Sequence, residues 1–80
     1  MRARIFITPK RGVLDPQGTA IEHSLHALGF AEAGEVHLGK YIELTVGGGD
    51  AEQARRRVDE MCRKLLANSV IEDYRFELEE

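Results

Sequence analysis

The chain predicts an α+β fold, a two-layer sandwich with two helices packed on one face of a small, mainly antiparallel sheet. Three observations lead there. Apolar and polar residues alternate at both ends of the chain and across residues 36–46, which is the period of half-buried strands. Between these stretches lie two segments that each open on an aspartate and carry apolar residues three and four apart, the period of helices lying on a core. Two helices on one face of a sheet satisfy every apolar stripe. Eighty residues make one domain, 1–80.

The first strand covers residues 3–7, with Ala3, Ile5 and Ile7 on one face and Arg4 and Phe6 on the other. Pro9 lacks a backbone donor and helps end it, and Lys10 to Leu14 form a connecting loop. Asp15-Pro16 starts the first helix: the carboxylate accepts from first-turn N–H groups and proline suits the first helical position. Ile21, Leu25 and Leu28 form its apolar stripe, and Gly29 supplies the left-handed residue that stops it, with Phe30 packing behind.

Across 36–46, Val36, Leu38, Ile42, Leu44 and Val46 keep one phase through Gly39-Lys40. A two-residue hairpin loop at Gly39-Lys40 would turn Glu43 toward the core, which the pattern argues against. Two readings keep the phase: one long strand bent at Gly39 (β-α-β-α-β), or a three-residue loop from Gly39 to Tyr41 (β-α-β-β-α-β). A single strand here would be roughly 35 Å long at about 3.3 Å per residue. Its overhanging end would carry unpaired backbone groups and invite a second chain. Gly47-Gly48-Gly49 then forms a flexible loop. Asp50 caps the second helix, with Gln53 placed for a capping box. Ala54, Val58, Met61, Cys62 and Leu65 make its buried stripe, and Asn68-Ser69 end it. Residues 70–78 form the last strand, with Tyr74, Phe76 and Leu78 on one face and Arg75, Glu77 and Glu79 on the other.

Composition narrows the function. Fourteen acidic against eleven basic side chains leave a net charge of −3, which gives no broad attraction to phosphate backbones, so nucleic acid is not expected as a partner. No apolar signal or membrane-crossing run is present, and a cytoplasmic protein with a reduced thiol is expected. One cysteine rules out an internal disulfide, and a chain of this size buries only about 60% of its unfolded surface, so an oligomer is expected.

Few residues suggest chemistry. Cys62 lies on the inner stripe of a helix and reads as a small buried hydrophobe, not a nucleophile. His23 and His26 can share a helix face, yet no carboxylate at characteristic spacing completes a metal site with His37. The tri-glycine precedes a helix as a phosphate cradle would, but Asp50 puts a negative charge at that mouth and no Lys-Ser or Lys-Thr follows. Lys10 and Arg11, just before the helix start, suit a phosphate or a partner's carboxylate, or a solvated loop. Gly18 in a first helical turn fits close approach by another backbone. Lys40 falls on the core-facing parity, so either its strand end projects past the core or it meets a partner's carboxylate. Phe6 and Tyr41 among Arg2, Arg4, Glu43 and Arg75 read either as an interaction surface or as a solvated face with cross-strand charge pairs. No catalytic, cofactor-binding or metal-binding residue is assigned.

Three segments together carry a resemblance: Gly12-Val-Leu-Asp-Pro-Gln-Gly18, Val36-His-Leu-Gly-Lys-Tyr-Ile-Glu-Leu44 and Leu65-Leu-Ala-Asn-Ser-Val-Ile-Glu-Asp-Tyr74. With them the chain resembles the PurS family, the small subunit of phosphoribosylformylglycinamidine (FGAM) synthase, from about Ile5 to Tyr74; the tri-glycine departs from the family pattern. The resemblance implies an accessory subunit without an active site of its own, usually dimeric, in an amidotransferase of purine biosynthesis. Its partners would be a glutaminase (PurQ-type) subunit and a synthetase (PurL-type) subunit that uses ATP and magnesium; no cofactor would bind this chain. Such a subunit bridges the other two and helps ammonia pass between them. Lys10, Arg11, Gln17, Lys40 and Tyr41 are the candidate contacts, chosen for exposure, charge and place in these segments. The alternative is a stand-alone regulatory module of ferredoxin-like shape that binds a small anion near Asp15.

Overall fold

The structure, a computed structural model, describes residues 1–80. Its central strand is β1 (Arg2–Pro9), flanked by β2 (Lys40–Thr45) and β3 (Glu72–Glu79), both antiparallel to it, in the order β2-β1-β3. The expected alternation holds: Ala3, Ile5 and Ile7 are buried on one face. Ile5 pairs with Ile42 and Phe76, and Ala3 with Leu44 and Leu78, so the inner face is apolar across all three strands. Two helices, α1 (Pro16–Ala27) and α2 (Ala51–Met61), complete the α+β fold in the β-α-β-α-β order.

The middle strand is single, without a hairpin, but shorter than the 36–46 span suggests. Pairing stops at Lys40, opposite Ile7. Continued in this register, Gly39 would meet Thr8 and Leu38 would meet Pro9, which has no N–H to give. The Leu38 N–H instead donates to Asp15 Oδ2 at 2.9 Å and the Val36 N–H to Glu22 Oε1 at 3.1 Å. No free strand end overhangs there, so the argument from unpaired amides to a second chain loses its premise at those residues.

The two helices use the sheet differently. Ala54, Val58 and Cys62 of α2 and its extension are buried against the inner face. Asp50 Oδ1 caps α2 by accepting the Gln53 N–H at 2.8 Å. Past Met61 the helix widens into a π-helical turn, Cys62–Leu66, closed by the Ala67 N–H donating to the Cys62 carbonyl at 2.9 Å. The extra residue in that turn shifts the helical phase. Leu65, expected in the buried stripe, is therefore 82% exposed, while Leu66 packs on the core and Ala67 is buried.

Helix α1 starts and stops as expected. Asp15 Oδ1 accepts the Gly18 N–H at 3.0 Å. At the other end Gly29 has φ +103°, and the Gly29 and Phe30 N–H groups reach back to the His26 and Leu25 carbonyls, the Schellman arrangement. Its stripe is another matter. No side chain of α1 joins the core cluster, and Leu28 is 74% exposed. The molecule measures 50 × 26 × 14 Å with a radius of gyration of 16.0 Å. A compact chain of this length would have about 12 Å. Helix α1 thus extends the molecule and leaves apolar surface uncovered.

Candidate interaction surface

At one end of the sheet β1 leaves, β2 and β3 begin, and the chain turns into α1. Gly18 lets this junction close. A Cβ there would lie 2.3 Å from the Val36 carbonyl oxygen, so of the two readings of Gly18, a close backbone neighbour or no special reason, the structure has the first. Asp15 holds the junction together by accepting from Gly18 and Leu38, with His37 Nδ1 3.5 Å from Oδ2. The Gly18 hydrogen bond, then that of Leu38, and His37 more weakly, hold the Asp15 carboxyl below its ordinary pKa. The carboxylate occupies the place at the helix start that an anion would need.

The structure brings two of the sequence-selected cations to acidic neighbours at this end. Lys10 Nζ donates to Asp73 Oδ1 at 3.1 Å, and Lys40 Nζ lies 3.5 Å from Glu72 Oε2. Lys40 is on the inner-face parity opposite the buried Ile7, yet its side chain stays 55% exposed at the sheet edge, and its carboxylate comes from its own chain. Tyr41 stands on the outer face, its ring 5.1 Å from Phe6. Arg11 is exposed in the turn before Gly12, and Gln17 is exposed in the first turn of α1. The five residues therefore share one end of the molecule without forming one cluster.

The outer face of the sheet is covered by its own pairs. The Arg75 guanidinium lies 4.0 Å from the Phe6 ring centroid. Arg2 reaches Glu43 at 3.7 Å, and Arg4 pairs with Glu79 and holds that carboxyl below its ordinary range. Cross-strand pairing accounts for this face.

Sequence reasoning missed the group that ties α2 to β3. The Tyr74 hydroxyl donates to Asp59 Oδ1 at 2.5 Å, and Arg63 Nε donates to Oδ2 at 2.9 Å. The tyrosine bond, then the arginine, lower the Asp59 pKa, and the same bond raises that of Tyr74. The Asp59-Arg63 spacing of four was legible as a helical pair; the tyrosine partner requires the sheet. Cys62 is fully buried, its thiol pKa raised by burial and then by Asp59. His26 Nε2 contacts the Ala33 carbonyl at 2.6 Å, and no group of three or more His, Cys, Asp and Glu side chains converges.

Comparison with known proteins places this architecture. The family model "PurS: Phosphoribosylformylglycinamidine (FGAM) synthase" matches residues 2–80. The chain is 48% identical over 79 residues to phosphoribosylformylglycinamidine synthase subunit PurS of Bacillus subtilis, covering 99% of this chain and 93% of that protein. The subunit of the same name from Methanocaldococcus jannaschii is 42% identical over 78 residues, covering 98% and 94%. Among solved structures, Bacillus subtilis PurS aligns with a TM-score of 0.88 at 48% identity, covering 99% of this chain and 98% of that one. A chain of the structure described as PurLQS from Thermotoga maritima aligns with a TM-score of 0.87 at 32% identity, covering 95% and 93%.

Proposed function

The chain belongs to the PurS family, and from that premise we propose that it is the small, non-catalytic subunit of an FGAM synthase complex in purine biosynthesis. In the complex a PurQ-type glutaminase subunit releases ammonia from glutamine. A PurL-type synthetase subunit uses ATP and magnesium to activate the amide oxygen of formylglycinamide ribonucleotide, and ammonia displaces it. The present chain docks both large subunits as one unit, residues 1–80, in the cytoplasm, and helps keep ammonia on a path out of water, where it would protonate and escape. Near-full-length likeness to chains named as this subunit, one of them in a PurLQS structure, is the observation that carries the reading. No helix is long and apolar enough to cross a membrane.

Other features agree with a bridging role. The one thiol is buried, and the Asp59-Tyr74-Arg63 group is occupied with holding α2 on β3. Lys10, Arg11, Gln17, Lys40 and Tyr41 remain the proposed contacts at the α1 end. The stripe of α1, with Leu14 83% and Phe30 49% exposed beside it, is surface that a second copy of the chain would cover. Self-association through α1 therefore replaces the overhanging strand as the reason for a dimer.

The test is reconstitution. The chain is combined with the purified synthetase and glutaminase subunits, ATP, magnesium, substrate and glutamine, and FGAM is assayed with and without it. Glutamine-dependent product formation that requires the chain is expected. Full activity in its absence would overturn the proposed role.

A further inference from the structure

Charge is unevenly placed along this acidic chain. Residues 51–66 carry five basic and three acidic side chains, against six basic and eleven acidic on the rest. Most of the cations on α2 and its extension are engaged. Arg57 and Lys64 both bind Glu60, at 3.1 and 2.9 Å, and Arg63 binds Asp59. Arg55 and Arg56 have no such carboxylate: the Arg55 guanidinium stands 5.9 Å from the Phe76 ring centroid, and Arg56 is exposed. Both line a shallow groove of about 490 Å³ that runs past Arg63 to Phe76. Phe76 belongs to β3, an edge strand whose outer side pairs with no other strand of the chain.

We propose that this groove, between α2 and the free edge of β3, docks a carboxylate-rich segment of a large partner subunit, with Arg55 and Arg56 as the residues that read its charge. The inference rests on the bridging role proposed above. Two arginines without a carboxylate, beside an aromatic ring, can give planar, bidentate hydrogen bonds to carboxylates. Asp59 and Glu60 on the same rim interrupt the positive charge, which suits separate carboxylates better than a continuous phosphate backbone. An extended segment would also find the unpaired backbone of β3 beside it, the arrangement of strand addition at a sheet edge. A second copy of the chain is the lesser fit, because the uncovered apolar stripe of α1 already provides for it.

The test measures assembly of the chain with the synthetase and glutaminase subunits by sedimentation velocity and titration calorimetry. Arg55→Glu/Arg56→Glu should weaken assembly by about tenfold or more, whereas Arg55→Lys/Arg56→Lys, which keeps the charge but gives up the planar fork, should weaken it by only about threefold. Circular dichroism of both variants shows whether the fold is kept, and loss of assembly in the lysine pair as severe as in the glutamate pair would overturn a charge-reading role. Wild-type assembly by the glutamate pair would overturn the groove while leaving the bridging role intact. A glutamate pair that alters only self-association would overturn it in favour of a second copy. Failure of the unaltered chain to assemble would overturn both readings together.

Discussion

Substitution of Gly18 by alanine tests the junction most sharply, because propensity and packing predict opposite signs. Gly18 lies in the first turn of α1 with an ordinary helical backbone, where alanine gains less than the roughly 1 kcal/mol it gains over glycine in a helix interior. The added Cβ would stand 2.3 Å from the Val36 carbonyl oxygen and 2.6 Å from Asp15 Oδ2. Carbon–oxygen contacts settle near 3.3–3.6 Å, so the segment must retreat by about 1 Å. It cannot do so freely, since the Val36 and Leu38 N–H groups are held by Glu22 and Asp15. Overpacking of this kind costs about 1–3 kcal/mol. Subtracting a propensity gain of about 0.5 kcal/mol leaves a net loss of about 0.5–2.5 kcal/mol. Urea unfolding followed by circular dichroism measures it, at one fixed protomer concentration because association raises apparent stability. A lower midpoint with an unchanged slope is expected. A variant as stable as the parent, or more so, would refute the close approach on which the junction rests.

Three further outcomes are expected. Asp59, Glu60 and Glu79 are each held below their ordinary values of 3.8, 4.5 and 4.5 by Tyr74, Lys64 and Arg4 respectively. A carboxylate whose folded pKa is depressed adds stability that is complete above its unfolded value and is lost as pH falls through the folded one. The thermal midpoint should therefore fall below about pH 4.5 and Tyr74→Phe should lessen that fall; a midpoint that rises on acidification would contradict the assignment. The Cys62 thiol should resist alkylation in the folded protein and react once urea unfolds it, and rapid labelling of the native chain would show that the core beside α2 is open. Lys40→Glu places like charges at the Glu72 contact and should lower glutamine-dependent synthesis more than ammonia-dependent synthesis, with equal loss of both counting against a bridging contact there. Because the Lys40 side chain is exposed and Glu72 only partly buried, stability of the isolated chain should change by about 1 kcal/mol.

Much of the fold was legible in the chain itself, for local reasons. The period-two pattern of Ala3, Ile5 and Ile7, the Asp15-Pro16 start, the Gly29 stop and the Asp50 cap each act within a few residues, and each is present in the structure. The family was legible too, in three segments spread along the chain, and Gly18 carried a sign of its close neighbour. Other features depend on which distant residues meet. The length of β2 is set by Pro9 lying opposite and by Asp15 and Glu22 taking the amides before Lys40. Leu65 gives its inward place to Leu66 because one π-helical turn shifts the phase, which periodicity counted at 3.6 residues does not register. Lys40 finds Glu72 across the sheet, and Asp59 finds Tyr74 between α2 and β3. The apolar stripe of α1 shows the division between the two levels most clearly. Its spacing establishes that Ile21, Leu25 and Leu28 share a face, but the sheet's core is filled from α2 and leaves that face without a cover in its own chain.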